Sequence, residues 1–428
     1  MDELISRAAS EQLRESVSDF RVVVVNGPRQ AGKTTLLELF QQEFGGTYRS
    51  LDEVEQLRAA KADPTSYARA GSRPLIIDEV QRGGDDLVLA IKREVDRDRS
   101  PGQFVLSGST RFLTVPTLSE SLAGRAVFID LWPFSMSERT GGGCDFLRRV
   151  FHAPAEVVGE RSEWQRDDYL DVLCRGSFPE ALKVSTETSR HRWYTGYVKT
   201  IVARDIGEFA EVHHASALPR LLGLIAARSG STFLQADIAR SLGVTGDTVR
   251  TYTSYFETVF LVSLLPAWST NMTSRLTKTP KVFLTDTGLA AHLLRVTPGA
   301  LREPGHRALG GLVETFVFTE LMKLRSLMGD AFEIYHYRDR DGREIDFICE
   351  TPDGRILAVE VKASASPSSA DGRHLAWLRE KLGDRFVAGV VMHLGEHVLS
   401  YGDRIIAAPI SVLWANAPVD GVSEKAPV

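Results

Sequence analysis

Residues 22–40 read VVVVNGPRQAGKTTLLELF. Four valines in a row imply a strand covered on both faces, as in a parallel sheet. Gly27, four further residues (Pro28, Arg29, Gln30, Ala31) and then Gly32-Lys33-Thr34-Thr35 have the spacing of a phosphate-binding loop. Backbone N–H groups from Gly27 to Thr35 would surround a phosphate, Lys33 would reach its β and γ oxygens, and the Thr34 hydroxyl would hold Mg²⁺. The run TTLLELF then opens a helix whose positive end faces the anion. The expected ligands are therefore ATP and Mg²⁺.

A second strand supports this reading. RPLIIDEVQR carries an apolar run ending at Asp78-Glu79. A carboxylate at that place orders the Mg²⁺ water shell, and the next one polarises the attacking water, so Asp78 is the metal partner and Glu79 the general base. The strand GQFVLSGST ends in hydroxyls, of which Ser107 could sense the γ-phosphate or merely form a turn. Arg125, in SLAGRAVFID, is a candidate to stabilise the transferred phosphoryl group, in cis or across the boundary of a homo-oligomer; a plain surface arginine is the competing reading.

At 428 residues the chain predicts roughly three domains. A hydrophobic fraction of 43% with 25% charged residues is globular, and no apolar run approaches the ~20 residues that span a bilayer. The opening MDELISRAASEQLRES is acidic and polar where a signal peptide is basic and then apolar, which predicts a cytoplasmic protein. Three scattered cysteines exclude a disulfide framework. A net charge of −5 argues against a generally basic coat for nucleic acid, while leaving room for a local groove.

Past Gly141-Gly142-Gly143 the periodicity becomes helical, predicting a lid over 141–215. Arg204-Asp205 within it reads as an ion pair as readily as a contact to ATP. Residues 216–275 show a helix-turn-helix pattern followed by a β wing, with Thr248, Arg250, Thr251 and Ser254 on the exposed face. Five arginines against three acids is a weak balance for a phosphate reader, so protein docking competes with DNA binding. His213-His214 reads as a solvated pair, and the tail from Asn416 as disordered.

Near the C-terminus, REIDFICETPDGRILAVEVKAS reads as two strands around Pro352-Asp353-Gly354. Glu360 and Lys362 share a face, as do Glu344 and Asp346. An odd loop centred on Asp353 sets Asp346 opposite Glu360. Asp346 and Glu360 could then hold Mg²⁺ or Mn²⁺, with Lys362 orienting the water; a solvated hairpin of alternating charges is the plainer alternative.

The motifs GPRQAGKTTLL, LIIDEVQR, VLSGSTRF, SLAGRA, GSFPEAL, YVKTIVARDI, VFLTDTGLAAHLL, GGLVETFVFTEL, REIDFI and VEVKAS together resemble the AAA-type ATPases of bacteria and archaea whose C-terminal half is the domain DUF4143. The resemblance implies an α/β architecture: a P-loop parallel sheet (1–140), a helical lid (141–215), a winged-helix segment (216–275) and a restriction-endonuclease-like domain (276–415), then the tail 416–428. It also resembles the metal-dependent nuclease pattern of Asp, spacer and Glu-x-Lys, which places a further acid on the preceding helix, where Glu314 fits. Two functions remain open: an ATPase that loads or processes DNA or RNA, and an ATP-dependent protein-interaction switch whose nuclease-like domain is a scaffold.

Overall fold

The computed structural model describes residues 4–111, 122–209, 216–271, 273, 275, 278–328 and 331–415. His213, His214 and the tail from Asn416 lie outside these residues. The chain divides into two compact units: Met1–Phe134 with Ser177–Leu222 and Gln235–Ser263, and Ser135–Gly176 with Gly223–Leu234 and Leu264–Val428. The stretch expected as one lid, 141–215, is therefore shared between them.

The first unit is built on a five-stranded sheet of order β2-β3-β4-β1-β5, with every neighbouring pair parallel. Its strands are β1 (Val22–Asn26), β2 (Thr47–Ser50), β3 (Leu75–Asp78), β4 (Phe104–Gly108) and β5 (Ala126–Asp130). The four valines of β1 are fully buried because helices cover both faces. Val22 and Val24 join Leu75, Ile77 and Leu106 in one core, which Leu87, Ile91 and Val95 of the helix Asp85–Arg97 complete. Val23 and Val25 join Ile76 and Val105 in another, closed by Leu13 of Ala9–Asp19 and Leu36, Leu37 and Phe40 of Lys33–Phe44. Parallel pairing brings the carboxyl ends of all five strands to one edge, where ligands bind in such sheets.

Later in the chain come β6 (Ser231–Thr232), β7 (Val262–Leu265) and β8 (Lys281–Leu284), of which β6 and β8 pair antiparallel in the second unit. That unit is built on a six-stranded sheet of order β13-β14-β12-β11-β10-β9. Its strands are β9 (Glu333–Arg338), β10 (Glu344–Glu350), β11 (Ile356–Val361), β12 (Phe386–His393), β13 (Leu399–Ser400) and β14 (Ile405–Pro409). The β10–β11 register pairs Phe347 with Val359 and Glu350 with Ile356, so it centres on Asp353 as the loop parity predicts. The helix Arg373–Leu382 buries Leu375 and Leu378 against this sheet, with Leu382 at its margin.

The helix Leu309–Leu327 is buried along most of its length and carries an ion pair inside its apolar face. Lys323 Nζ lies 2.8 Å from Glu320 Oε1, both side chains being almost fully buried, and Glu320 Oε2 accepts the Met136 N–H at 2.9 Å. This carboxylate thus ties the segment 135–176 to the helix within the second unit. Glu320→Ala removes both partners at once and should cost about 3 kcal/mol. A urea titration of the full chain should show a lower unfolding midpoint for the C-terminal unit; an unchanged midpoint would refute the role.

Candidate functional site

The loop after β1 takes its shape from glycine. A side chain on Gly27 would place its Cβ 2.1 Å from the Leu131 carbonyl oxygen, and Gly32 has φ of 98° where it caps the helix Lys33–Phe44. Arg7 braces the loop from outside, donating to Ala31 O at 2.8 Å and to Trp132 O at 2.5 Å while lying over the Phe134 ring. Lys33 is buried and donates to two carbonyls of its own loop, Gly27 O at 2.9 Å and Pro28 O at 3.0 Å. Burial pulls its pKa below the ordinary lysine value, against the attraction of Glu79 and Asp78.

Asp78, the last residue of β3, collects three hydroxyl donors. Thr34 Oγ1 donates to Oδ2 at 2.7 Å, Tyr48 from β2 donates to the same oxygen at 3.1 Å, and Ser107 from β4 donates to Oδ1. Burial, and then Asp78 itself, push the Tyr48 hydroxyl pKa up. Glu79 follows in the left-handed region, with φ of 52°. Its carboxylate accepts from Ser109 Oγ at 3.1 Å and from the Gln81 amide. Burial would raise this carboxyl, but Lys33, Gln81, Arg29 and Ser109 outweigh it and hold it below the usual range.

Lys33, Thr34 and Glu79 face a cavity of about 1060 Å³. Arg29, Gln30, Gly32, Lys33, Thr34, Thr35 and Glu79 line one side; Arg192, Trp193 and Tyr197 line the other. The last two stand one turn apart on the helix Glu187–Thr200, with rings stacked at 5.1 Å and 11°. A π-helical turn, Ile201–Asp205, follows, and Asp205 accepts from Arg29 Nε at 2.6 Å in a nearly buried ion pair. Asp205 therefore meets the phosphate loop, and Arg29 has a protein partner as well as a place in the cavity wall.

Arg125 requires a correction. It precedes β5, whose first residue pairs with Val22 at the amino end of β1, whereas the phosphate loop leaves the carboxyl end. Parallel strands therefore put Arg125 at the far edge of the sheet, where it is bound to Asp96 at 2.6 Å. It does not reach the loop of its own chain.

In the second unit, the expected Glu314, Asp346, Glu360 and Lys362 are joined by two residues, one of which the sequence reading passed over. Lys281, at the start of β8 and 1% exposed, places Nζ 2.8 Å from Glu314 Oε1, 2.9 Å from Glu344 Oε1 and 3.0 Å from Asp346 Oδ1. The other Asp346 oxygen accepts the Val361 N–H at 2.9 Å, and Lys362 lies 2.8 Å from Glu360 Oε1. Burial works against the Lys281 charge, but Asp346, Glu314 and Glu344 overcome it and raise its pKa. Among the described residues no group of three or more His, Cys, Asp or Glu side chains is arranged to hold a metal ion. The expected metal role of Glu314, Asp346 and Glu360 therefore meets an ammonium already in place.

Sheet, loop and terminal acid have the arrangement of a P-loop nucleotide-binding domain. Residues 19–140 match the AAA domain, 309–413 the domain of unknown function DUF4143, and 166–300 another, DUF8612. The chain thus carries an AAA domain at its N-terminus and DUF4143 at its C-terminus. It is 28% identical over 416 residues to the uncharacterized proteins Rv2008c of Mycobacterium tuberculosis and Mb2031c of Mycobacterium bovis, spanning 97% of this chain and 86% of each of them. Among solved structures, the Walker-type ATPase PABY2304 of Pyrococcus abyssi matches with a TM-score of 0.39 at 15% identity, covering 68% of this chain and 96% of that one. The RuvB Holliday junction branch migration motor of Thermotoga maritima matches with a TM-score of 0.29 at 19% identity, over 62% and 92%.

If Arg125 serves only its surface pair with Asp96, Arg125→Ala should leave steady-state ATP turnover within about twofold of wild type. A loss of about 100-fold or more would instead place it against the nucleotide of a neighbouring chain.

Proposed function

We propose that the chain is a Mg²⁺-dependent ATPase whose turnover drives the binding or remodelling of a macromolecule by the rest of the chain. The observation that carries the ATPase reading is the meeting of Lys33, Thr34 and Glu79 on one wall of a cavity large enough for a nucleotide, with Asp78 bonded to Thr34 behind that wall. A hydroxyl and a carboxylate already 2.7 Å apart are the hard oxygen donors that Mg²⁺ prefers, so Thr34 and Asp78 fit it. When bound there, Mg²⁺ neutralises charge on the β and γ phosphates. Lys33 exchanges its two carbonyl acceptors for phosphate oxygens, and backbone N–H groups from Gly27 to Thr35 orient the chain of phosphates. Glu79 takes the proton of the attacking water, held in place by Gln81 and Ser109. Ser107 links Asp78 to β4 and so reports the state of the γ-phosphate, while the Trp193–Tyr197 stack offers a platform for the base.

We read the C-terminal unit as restriction-endonuclease-like and the order helix, strand, helix, helix, strand, strand over 217–284 as a winged helix. Nucleic acid is the first reading of the partner. It is supported by cations held over aromatic rings: Lys278 and Lys381 over Tyr337, and Lys381 and Arg343 over Trp377. The second reading is a protein-interaction switch. In its favour, Arg240 and Arg250 on the helix-turn-helix are each paired with an aspartate three residues earlier, Asp237 at 3.6 Å and Asp247 at 2.7 Å, which leaves little positive charge to present to a phosphate backbone.

Lys33→Ala should cut ATP hydrolysis by about 100-fold or more and weaken nucleotide binding, because the buried cation aimed at the phosphates is lost. Near-normal turnover would defeat the ATPase assignment. Glu79→Gln should keep nucleotide binding while slowing hydrolysis by about 10²–10⁴-fold; loss of binding would make Glu79 structural. ATPase rates with and without DNA or RNA then separate the two partners: stimulation by nucleic acid supports the first reading, and indifference to it the second.

A further inference from the structure

We infer that Lys281 is the resident cation of the C-terminal carboxylate cluster, filling the place a divalent ion would take, and that this unit therefore works without a metal of its own. The inference concerns the second unit alone and does not rest on the ATPase reading.

An ammonium has three N–H donors. All three are accounted for, by Glu314 Oε1, Glu344 Oε1 and Asp346 Oδ1 at 2.8–3.0 Å. Those oxygens come from three positions on two elements, one on the helix Leu309–Leu327 and two on β10, which Lys281 on β8 draws to one point. The spacing suits a nitrogen and not Mg²⁺, whose oxygens stand at about 2.0–2.1 Å, so each carboxylate would have to move inward by about 0.8 Å. Two of the three are fixed from behind. Asp346 is held through its second oxygen by the Val361 N–H, and Glu314 packs on Gly230, where even a Cβ would come within 3.0 Å of Glu314 Oε2. Glu360 adds a buried oxygen, Oε2, with no hydrogen-bond partner among the described residues. One such oxygen is short of the several that a divalent ion requires. The stem of Lys281 is equally confined, since the residue is 1% exposed. Admitting Mg²⁺ or Mn²⁺ would mean moving a buried ammonium out of a cage of three carboxylates.

The test is Mn²⁺ binding to the full chain without nucleotide, followed by electron paramagnetic resonance, in wild type, Asp346→Asn, Lys281→Met and the double variant. Wild type and Asp346→Asn should titrate alike, which removes any Mn²⁺ near the phosphate loop from the comparison. Lys281→Met, where circular dichroism shows it folded, should gain about one Mn²⁺ per chain, and adding Asp346→Asn should abolish the gain. A wild-type site of one Mn²⁺ per chain that Asp346→Asn removes would overturn the inference, and so would a folded Lys281→Met that gains none. Should Lys281→Met not fold, the comparison of wild type with Asp346→Asn decides alone, equal titration supporting the resident lysine and unequal titration refuting it.

Discussion

Two buried ammonium groups set the character of the two units, and the difference lies in what solvates them. Taking a lysine out of water costs several kcal/mol unless the protein supplies compensating oxygens. Lys33 receives two neutral carbonyls, Gly27 O and Pro28 O, and its pKa stays below the ordinary value. Lys281 receives three carboxylates, and its pKa rises. A cation held by carbonyl dipoles gains by trading them for phosphate oxygens. One held by three acidic side chains has nothing better to move to, so the first is suited to exchange and the second to permanence.

The parallel sheet explains how the first site is assembled from distant positions. Because all five strands run the same way, the residue that ends each strand arrives at a common edge. Asp78 and Ser107 meet there from neighbouring β3 and β4, Tyr48 comes across from β2, and Thr34 from the helix that leaves β1. Backbone cost collects at the same place: Gln30 and Glu79 are two of the five described non-glycine residues with positive φ. Each such conformation costs about 1–2 kcal/mol, which is tolerated where it aims a side chain. At Glu79 it turns the carboxylate to Ser109 and Gln81, beside the cavity rather than into the core.

Most of the first site was legible in the sequence because its elements are local. The valine run, the glycine spacing and the acid at a strand end each depend on a few adjacent residues. Only the cis role considered for Arg125 fails, because its neighbours in sequence were weighed without the direction of its strand: a residue that precedes a parallel strand cannot share an edge with a loop that follows one. Trp193 and Tyr197 were hidden in a helix, where aromatic residues are ordinary core material. In the hairpin, an odd loop centred on the Pro352-Asp353-Gly354 turn gave the register, which pairs Phe347 with Val359. Lys281 escaped because its acids lie far along the chain, Glu314 by 33 positions and Asp346 by 65. One clue was present in TPKVFLTD: a lysine opening an apolar strand must find buried counter-charge or keep its head in water.

The C-terminal cluster also bears on its own charge balance. Four acids, Glu314, Glu344, Asp346 and Glu360, stand with Lys281, Lys362 and, 3.7 Å from Glu344, Arg338, so that acids outnumber cations if every group were ionised. Two of the four answer by holding protons more tightly. Burial first, and Asp346 second, raise both Glu314 and Glu360. Both shifts run in the direction that lessens the negative charge of the cluster. A divalent ion is the usual way for a protein to relieve such a concentration of acid. Here a lysine from β8 and the tighter hold on protons at Glu314 and Glu360 act in the same direction with groups the chain already carries.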